Sequence, residues 1–379
     1  MKKIAILTQP LISNYGGILQ AFALQKVLKN NDYDVTTIDR RYNGVSGSKL
    51  LLSNIKNTIL NTLKLGNARN FTSSDIRYVT KNPRHFIAKY MTLSEVIDQN
   101  EKMVNHFKNN TYDVVIVGSD QVWRPRYSPN IYDYFFGFLK DNSTTKKISY
   151  AASFGVDTWE YSDTQTKEVK GLVKLFDGVS VREKSAVQLC KDNLNTDANF
   201  VLDPTLLLGK EDYLKLITEQ SERSAPSIFT YVLDKSESKK DIIHFVQKKL
   251  GKDVTTNQPK EIIRESSSKV LNDYAYPSIE GWIRSFDQAD FIVTDSFHGT
   301  IFSIIFNKPF LTIVNSERGA ARFKSLLALL NLEDRLIESY DESLISEKLL
   351  ASIDYSKVNA TLNELKAESL AYLLNNIEK

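Results

Sequence analysis

The chain has 379 residues, 42% hydrophobic and 25% charged, an ordinary globular composition with length enough for two domains, each with its own core. Lys+Arg 49 against Asp+Glu 46 leaves a formal charge of only +3, so the total gives no reason to expect a nucleic-acid partner. Cys190 is the single cysteine, which excludes an intramolecular disulfide and a thiolate metal site and points to a reducing compartment, the cytoplasm.

Residues 3–7 read as a buried strand, because the apolar stretch behind the two N-terminal lysines stops at Thr8-Gln9-Pro10, too short for a signal peptide. A helix over 18–29 follows, with Ile18, Leu19, Phe22, Leu24, Val27 and Leu28 at helical spacing, and residues 35–38 return as a second strand. Residues 46–92 then break the pattern. Asp75 is their only acidic residue, while Lys49, Lys56, Lys64, Arg69, Arg77, Lys81, Arg84 and Lys89 are basic. Within them Leu51, Leu52, Ile55, Ile59 and Leu63 form one helical stripe bordered by lysines, which suits a surface helix packed on the domain or an interfacial helix touching an anionic membrane. Strands at 113–119, 147–152 and 178–181, the last leading into a helix over 183–191, complete one doubly wound sheet.

Pro204 interrupts the apolar segment 200–208 and marks the crossing to a second domain. There strands at 227–233, 253–256, 291–294 and 310–314 alternate with helices at 239–250, 278–286, 298–306 and 320–330. Helical spacing resumes over 342–353 and 358–377, with the second stretch able to pack back on the first domain. No stretch reaches bilayer-spanning length, since Asn307-Lys308-Pro309 cuts the most apolar one. The reading is α/β: two Rossmann-like doubly wound domains, 1–200 with a basic helical insertion at 46–92 and 201–340, facing a cleft, with C-terminal helices over 341–379.

Four clusters could carry chemistry. The loop Asn14-Tyr15-Gly16-Gly17 lets backbone approach a ligand at a helix start, although it fits neither dinucleotide nor phosphate-loop patterns and serves equally as a tight turn. Ser119-Asp120-Gln121-Val122-Trp123 stands at a strand's carboxyl end, where open parallel sheets place ligands; Trp123 offers an apolar face to a sugar or else belongs to the core. In Asp295-Ser296-Phe297-His298-Gly299-Thr300 the histidine stands at another strand end among small polar neighbours, a setting for acid–base work. Arg182, Arg318 and Arg322 carry guanidinium forks that match carboxylate and phosphate oxygens.

Taken in order, Asn14-Tyr-Gly-Gly-Ile-Leu-Gln20, Gly118-Ser-Asp-Gln-Val-Trp123, Ser180-Val-Arg-Glu183 and Ser296-Phe-His-Gly299 resemble the polysaccharide pyruvyl transferase family over roughly residues 5–330. The resemblance implies a fold similar to two-domain nucleotide-sugar glycosyltransferases, with the acceptor side in the first domain and the donor side in the second. It also implies phosphoenolpyruvate as donor, a surface glycan as acceptor, lipid-linked in one version of the reading, and a ketal-linked pyruvate as product. No further cofactor and no metal enter that scheme. His298 takes the matching position of the family's histidine and acts as the general acid. Arg182, with Arg318 and Arg322, binds the donor beside Ser296, Gly299 and Thr300, and the two glycine and aspartate loops receive the acceptor. Asp120 or Asp295 orients it. One departure is visible: many members carry an arginine where this chain has Ser296. Two other readings share the pattern, a nucleotide-sugar glycosyltransferase on the same fold and a catalytically silent glycan-binding protein.

Overall fold

The computed structural model describes residues 1–42, 70–217, 227–234, 236–261, 263, 268–314, 319–343, 345, 350 and 353–379. The first half builds a parallel sheet from β1 (Lys3–Leu7), β2 (Asp34–Arg40), β3 (Leu93–Ile97), β4 (Val114–Val117) and β5 (Lys146–Ser149), in the order β3-β2-β1-β4-β5. Helices cover both faces, so the central strands have no polar side: all four residues of β4 and residues 4–7 of β1 are buried. Two short strands, β6 (Ser180–Val181) and β7 (Asn199–Phe200), pair with each other. The second half repeats the design with β8 (Ser227–Tyr231), β9 (Asp253–Thr256), β10 (Phe291–Thr294), β11 (Phe310–Ile313) and β12 (Leu336–Ile337), in the order β12-β11-β10-β8-β9.

Several boundaries differ from the sequence reading. The 147–152 strand stops at Ser149 because Ala151 takes a left-handed conformation (φ 51°), which breaks the ladder. Residues 178–181 therefore join the main sheet only through isolated bridges, Ile148 to Gly178 and Ala152 to Val181, and do not form a regular sixth strand. The first helix begins earlier than expected, at Tyr15, which puts both glycines in its first turn and leaves only the preceding residues as loop. Of the basic insertion, residues 46–69, with the Leu51 to Leu63 stripe, lie outside the described residues. The described remainder is packed structure. It holds helices Ser73–Val79 and Lys81–Tyr90, with Phe86 edge-on to Phe22 at 5.6 Å. Val79 and Asn82 hydrogen bond the backbone of Tyr276 in the second half.

One face of each sheet shares a central apolar core, to which Ile4, Ile18, Leu206, Trp282, Ile301 and Leu373 all belong. Tyr15 links the halves most directly: its hydroxyl donates to the Pro277 carbonyl at 2.6 Å, and its ring stacks on Tyr231. The last helix, Tyr355–Glu378, starts against the second half, where Tyr355 donates to the Lys308 carbonyl, and ends on the first, where Lys2 reaches the Ile377 carbonyl. Its 24 residues make a strut of about 36 Å along this route. Among the described residues no helix is long and apolar enough to cross a membrane. Residues 342–353 fall mostly outside the description.

In each sheet the strand order reverses beside a central strand: after β2 and β3 on one side of β1 the chain returns to β4, and after β9 on one side of β8 it returns to β10. The carboxyl ends at such reversals open a crevice between diverging connections. Asp120 follows β4, and His298 follows β10.

Candidate active site

His298 occupies the first turn of the helix Phe297–Ile305, which begins where β10 ends. Ser296 caps that helix, its hydroxyl accepting from the Gly299 amide at 3.3 Å, while Thr300 is tied to the Ser296 carbonyl and to Thr312. These bonds fix the turn that aims the imidazole at the first half. There the ring lies against Gly16, so closely that a Cβ on residue 16 would stand 2.1 Å from Nδ1. Glycine is what permits the contact.

On the far side of the ring, Nε2 is 3.5 Å from Oδ2 of Asp203. The same oxygen accepts from Nη1 of Arg182 at 2.5 Å, and Nη2 of Arg182 reaches Asp120 at 3.2 Å. Asp203 is anchored through its other oxygen, which accepts from the amide of Thr205 at 3.0 Å and from its hydroxyl at 2.6 Å. Behind them Glu183 takes the Ser153 hydroxyl and the amides of Phe154 and Gly155 on one carboxyl oxygen, with its other oxygen 4.0 Å from Arg182 Nε. Two guanidiniums lie over the Phe297 ring, Arg182 at 4.8 Å and Arg322 at 5.2 Å from its centre.

All of these groups are buried. Burial by itself raises a carboxyl pKa, but for Asp203 the charges of His298 and Arg182 outweigh it and hold the group well below its usual range. Asp120 is likewise lowered, with Arg182, His298 and Arg322 overcoming the cost of burial. Glu183 goes the other way, pushed up by burial despite Arg182. Arg322 falls to about 10, through burial first and then the charge of Arg182. Around one imidazole the carboxyl groups are thus pushed in opposite directions, Asp203 and Asp120 down and Glu183 up. Three carboxylic residues here face two guanidiniums, so Arg182 is already engaged by protein carboxylates.

The structure brings together His298, Arg182, Asp120 and Arg322 from the expected set, with Asn14 and Gly17 beside them: a Cβ on Gly17 would meet Asn14 Nδ2 at 3.1 Å and Asp120 Oδ2 at 3.4 Å. Asp120 reaches this place because Gly118 bends the chain (φ 135°) over the Tyr150 carbonyl, which a Cβ would strike at 1.9 Å. Other expectations are corrected. Trp123 offers no face to a sugar: it is fully buried, stacked on Phe135 at 5.0 Å, with its indole N–H given to the Tyr134 carbonyl. Ser119 is also fully buried, donating to the Ala151 carbonyl and 3.3 Å from Asp203, so it braces the site from behind. Tyr15 turns its hydroxyl to Pro277, away from His298. Gln121 accepts from Arg124. Asp295 is turned to Lys239 and the amides of Leu233 and Asp234, which removes it as the orienting carboxylate and leaves Asp120. Ser296, Gly299 and Thr300 shape the helix start from within, and Arg318 lies outside the described residues.

The sequence reading passed over Asp203 and Glu183. Asp203 precedes the proline that interrupts the apolar segment, and Asp-Pro-Thr reads as an ordinary cap of the short turn Pro204–Leu207. Glu183 ends the Ser180-Val-Arg-Glu183 motif, where nothing in the local sequence marks it out from a surface carboxylate. Among the described residues no group of His, Cys, Asp and Glu is arranged to hold a metal ion.

A family model described as polysaccharide pyruvyl transferase matches residues 14–317. No curated protein matches the chain in sequence. Among solved structures, Staphylococcus aureus MnaA with UDP is similar over 100% of this chain and 98% of its own, at 14% identity and TM-score 0.51. Acinetobacter baumannii MurG is similar over 100% and 99% at 10% identity and TM-score 0.47. UDP-GlcNAc 2-epimerase from Neisseria meningitidis is similar over 98% and 99% at 9% identity and TM-score 0.48. The first of these likenesses supports the fold, the glycosyltransferase-B arrangement of two Rossmann-like halves about a cleft.

Proposed function

The chain belongs to the polysaccharide pyruvyl transferase family, and from that premise we propose that it moves pyruvyl from phosphoenolpyruvate onto two hydroxyls of a glycan sugar, forming a ketal and releasing phosphate. The observation that carries this reading is the position of His298, held between Gly16 and Asp203 at the strand reversal of the second half, with Arg182 and Arg322 both over the neighbouring Phe297 ring. The donor is assigned to the second half and the acceptor to the first, along Asn14 to Gly17 and Asp120.

His298 gives its proton to the methylene carbon of phosphoenolpyruvate, which leaves an oxocarbenium centre at the carbon bearing the phosphate. A sugar hydroxyl adds there and loses its proton to Asp120. The carbon–oxygen bond to phosphate then breaks, a second hydroxyl closes the ketal, and its proton leaves with the phosphate. Asp120 then returns the first hydroxyl's proton to His298, so both groups are restored: in net terms one hydroxyl proton stands in the new methyl group and the other on phosphate. A positioned general acid contributes ~10²–10⁴-fold to such a step. Arg322 balances the charge of the carboxylate and the departing phosphate. In this scheme Arg182 organises the carboxylates.

The test is phosphate release from phosphoenolpyruvate with a panel of oligosaccharides, free and lipid-linked, followed by product mass. Release only with acceptor, together with a pyruvyl-bearing product, is expected. No release with any acceptor, or transfer of a sugar from a nucleotide donor, would sink the reading.

A further inference from the structure

His298 is contributed by the second half of the chain, yet its nearest charged partner, Asp203, lies on the segment that joins the halves. Just before Asp203, Val201 and Leu202 still hydrogen bond to elements on the first half, through the Val181 carbonyl and the Ser369 hydroxyl. Just after it, the turn Pro204–Leu207 leads to the helix Lys210–Leu214, whose Lys210 pairs with Asp287 of the second half at 2.9 Å. Asp203 therefore sits where the chain crosses over, and it cannot swing away, because Oδ1 is held by both the amide and the hydroxyl of Thr205.

We infer that Asp203 is a positioning residue that orients the His298 imidazole across the cleft, using the one oxygen it also gives to Arg182. The chemistry is that of a buried carboxylate behind a histidine: it selects which ring nitrogen carries the proton and stabilises the imidazolium. Nε2 is the nitrogen turned to Oδ2: at 3.5 Å this is an ion-pair approach rather than a formed hydrogen bond, and the buried Nε2 has no hydrogen-bond partner among the described residues. His298 itself and then Arg182 keep that carboxylate ionised in a buried setting. The other charged groups around the ring are Asp120, bonded to Arg182, and Arg322 beyond Phe297, with Glu183 behind them. Among the described charged groups, Asp203 pairs an ion-pair approach to the ring with an anchor on Thr205. Because Gly16 carries no side chain beside Nδ1, the ring has one seat, defined by a glycine of the first helix and an aspartate of the crossover, and Nδ1 is the nitrogen left to give up a proton. The acid is complete only when both halves meet.

The inference rests on the acid role proposed for His298, so its test separates the two. The pair is read in turnover through Asp203→Asn, His298→Gln and the double variant. Asparagine keeps an oxygen for Thr205 and replaces only Oδ2. Asp203→Asn is expected to lower kcat on the order of 10²-fold, and the double variant to be no slower than His298→Gln alone, because two residues acting as one unit are not additive. Independent, multiplicative losses overturn it. The second readout needs neither turnover nor a variant that folds: nitrogen-15 spectra of the wild-type histidines should show His298 with a protected proton on Nε2. A ring protonated on Nδ1 alone, or one whose Nε2 proton exchanges freely, overturns the inference. An intact Nε2 signature with no phosphate release from any donor–acceptor pair would refute the transferase chemistry and uphold the positioning contact.

Discussion

Replacing Gly16 with alanine separates catalysis from stability more cleanly than any change to the charged residues. The added Cβ would stand 2.1 Å from Nδ1, 2.3 Å from Cγ and 2.7 Å from Cβ of His298, where ordinary contact begins near 3.4 Å. The ring must retreat by 3.4 minus 2.1, or 1.3 Å, and because its own Cβ is too close, a rotation about χ1 alone does not clear the clash. Overpacking of this kind costs ~1–3 kcal/mol, while alanine in place of a helical glycine returns up to ~1 kcal/mol, so the net loss of stability is small. A displacement beyond 1 Å at a proton donor costs about 10²-fold in rate. Gly16→Ala should thus unfold in urea within about 2 kcal/mol of wild type while phosphate release falls roughly a hundredfold. Gly171→Ala is the control: it lies in the last turn of the helix Asp163–Val173 with nothing within 4 Å of the added methyl, and should gain up to ~1 kcal/mol with activity unchanged. Wild-type turnover in Gly16→Ala would refute the placement of His298 as the proton donor.

The remaining expectations concern charge. Arg322→Ala should weaken phosphoenolpyruvate binding by ~1.5–3 kcal/mol, the worth of a charge-assisted contact, and calorimetry on the folded variant would show it. Arg182→Ala should act first on the fold. It strands Asp203 and Asp120 in the interior, which costs ~3–5 kcal/mol, and urea midpoints equal to wild type would contradict this. The lowered pKa values of Asp203 and Asp120 contribute stability that is fully present above their ordinary value of 3.8 and lost as pH falls through the folded values, so acid unfolding should set in below about pH 4. Glu183 has the opposite sign. Its raised pKa makes stability fall as pH climbs from 4.5 through the folded value, and Glu183→Gln should flatten that slope in urea melts taken from pH 4 to 8; an unaltered slope would exclude it as the source.

The sequence alone was enough for the two parallel-sheet halves, because short runs such as the fully apolar Val114–Val117 and Phe291–Thr294, apolar up to its last residue, suit strands covered by helices on both faces. His298, Asp120 and the arginines were legible for a related reason: strand ends are readable, and open α/β sheets expose chemistry there. β3 (Leu93–Ile97) was missed because it is an edge strand with only Ile97 buried, leaving no apolar run to detect. Trp123 was misleading as a ligand residue because the pull of its ring into an aromatic cluster is a matter of three dimensions. What only the tertiary structure decided is who faces whom. Asp203 and His298 are separated by most of the second half's strands and helices, and their contact depends on the crossover and the β10 strand end closing on one another over Gly16. Pairing of this kind leaves no trace in local periodicity, because the partners belong to elements whose patterns are each satisfied without the other.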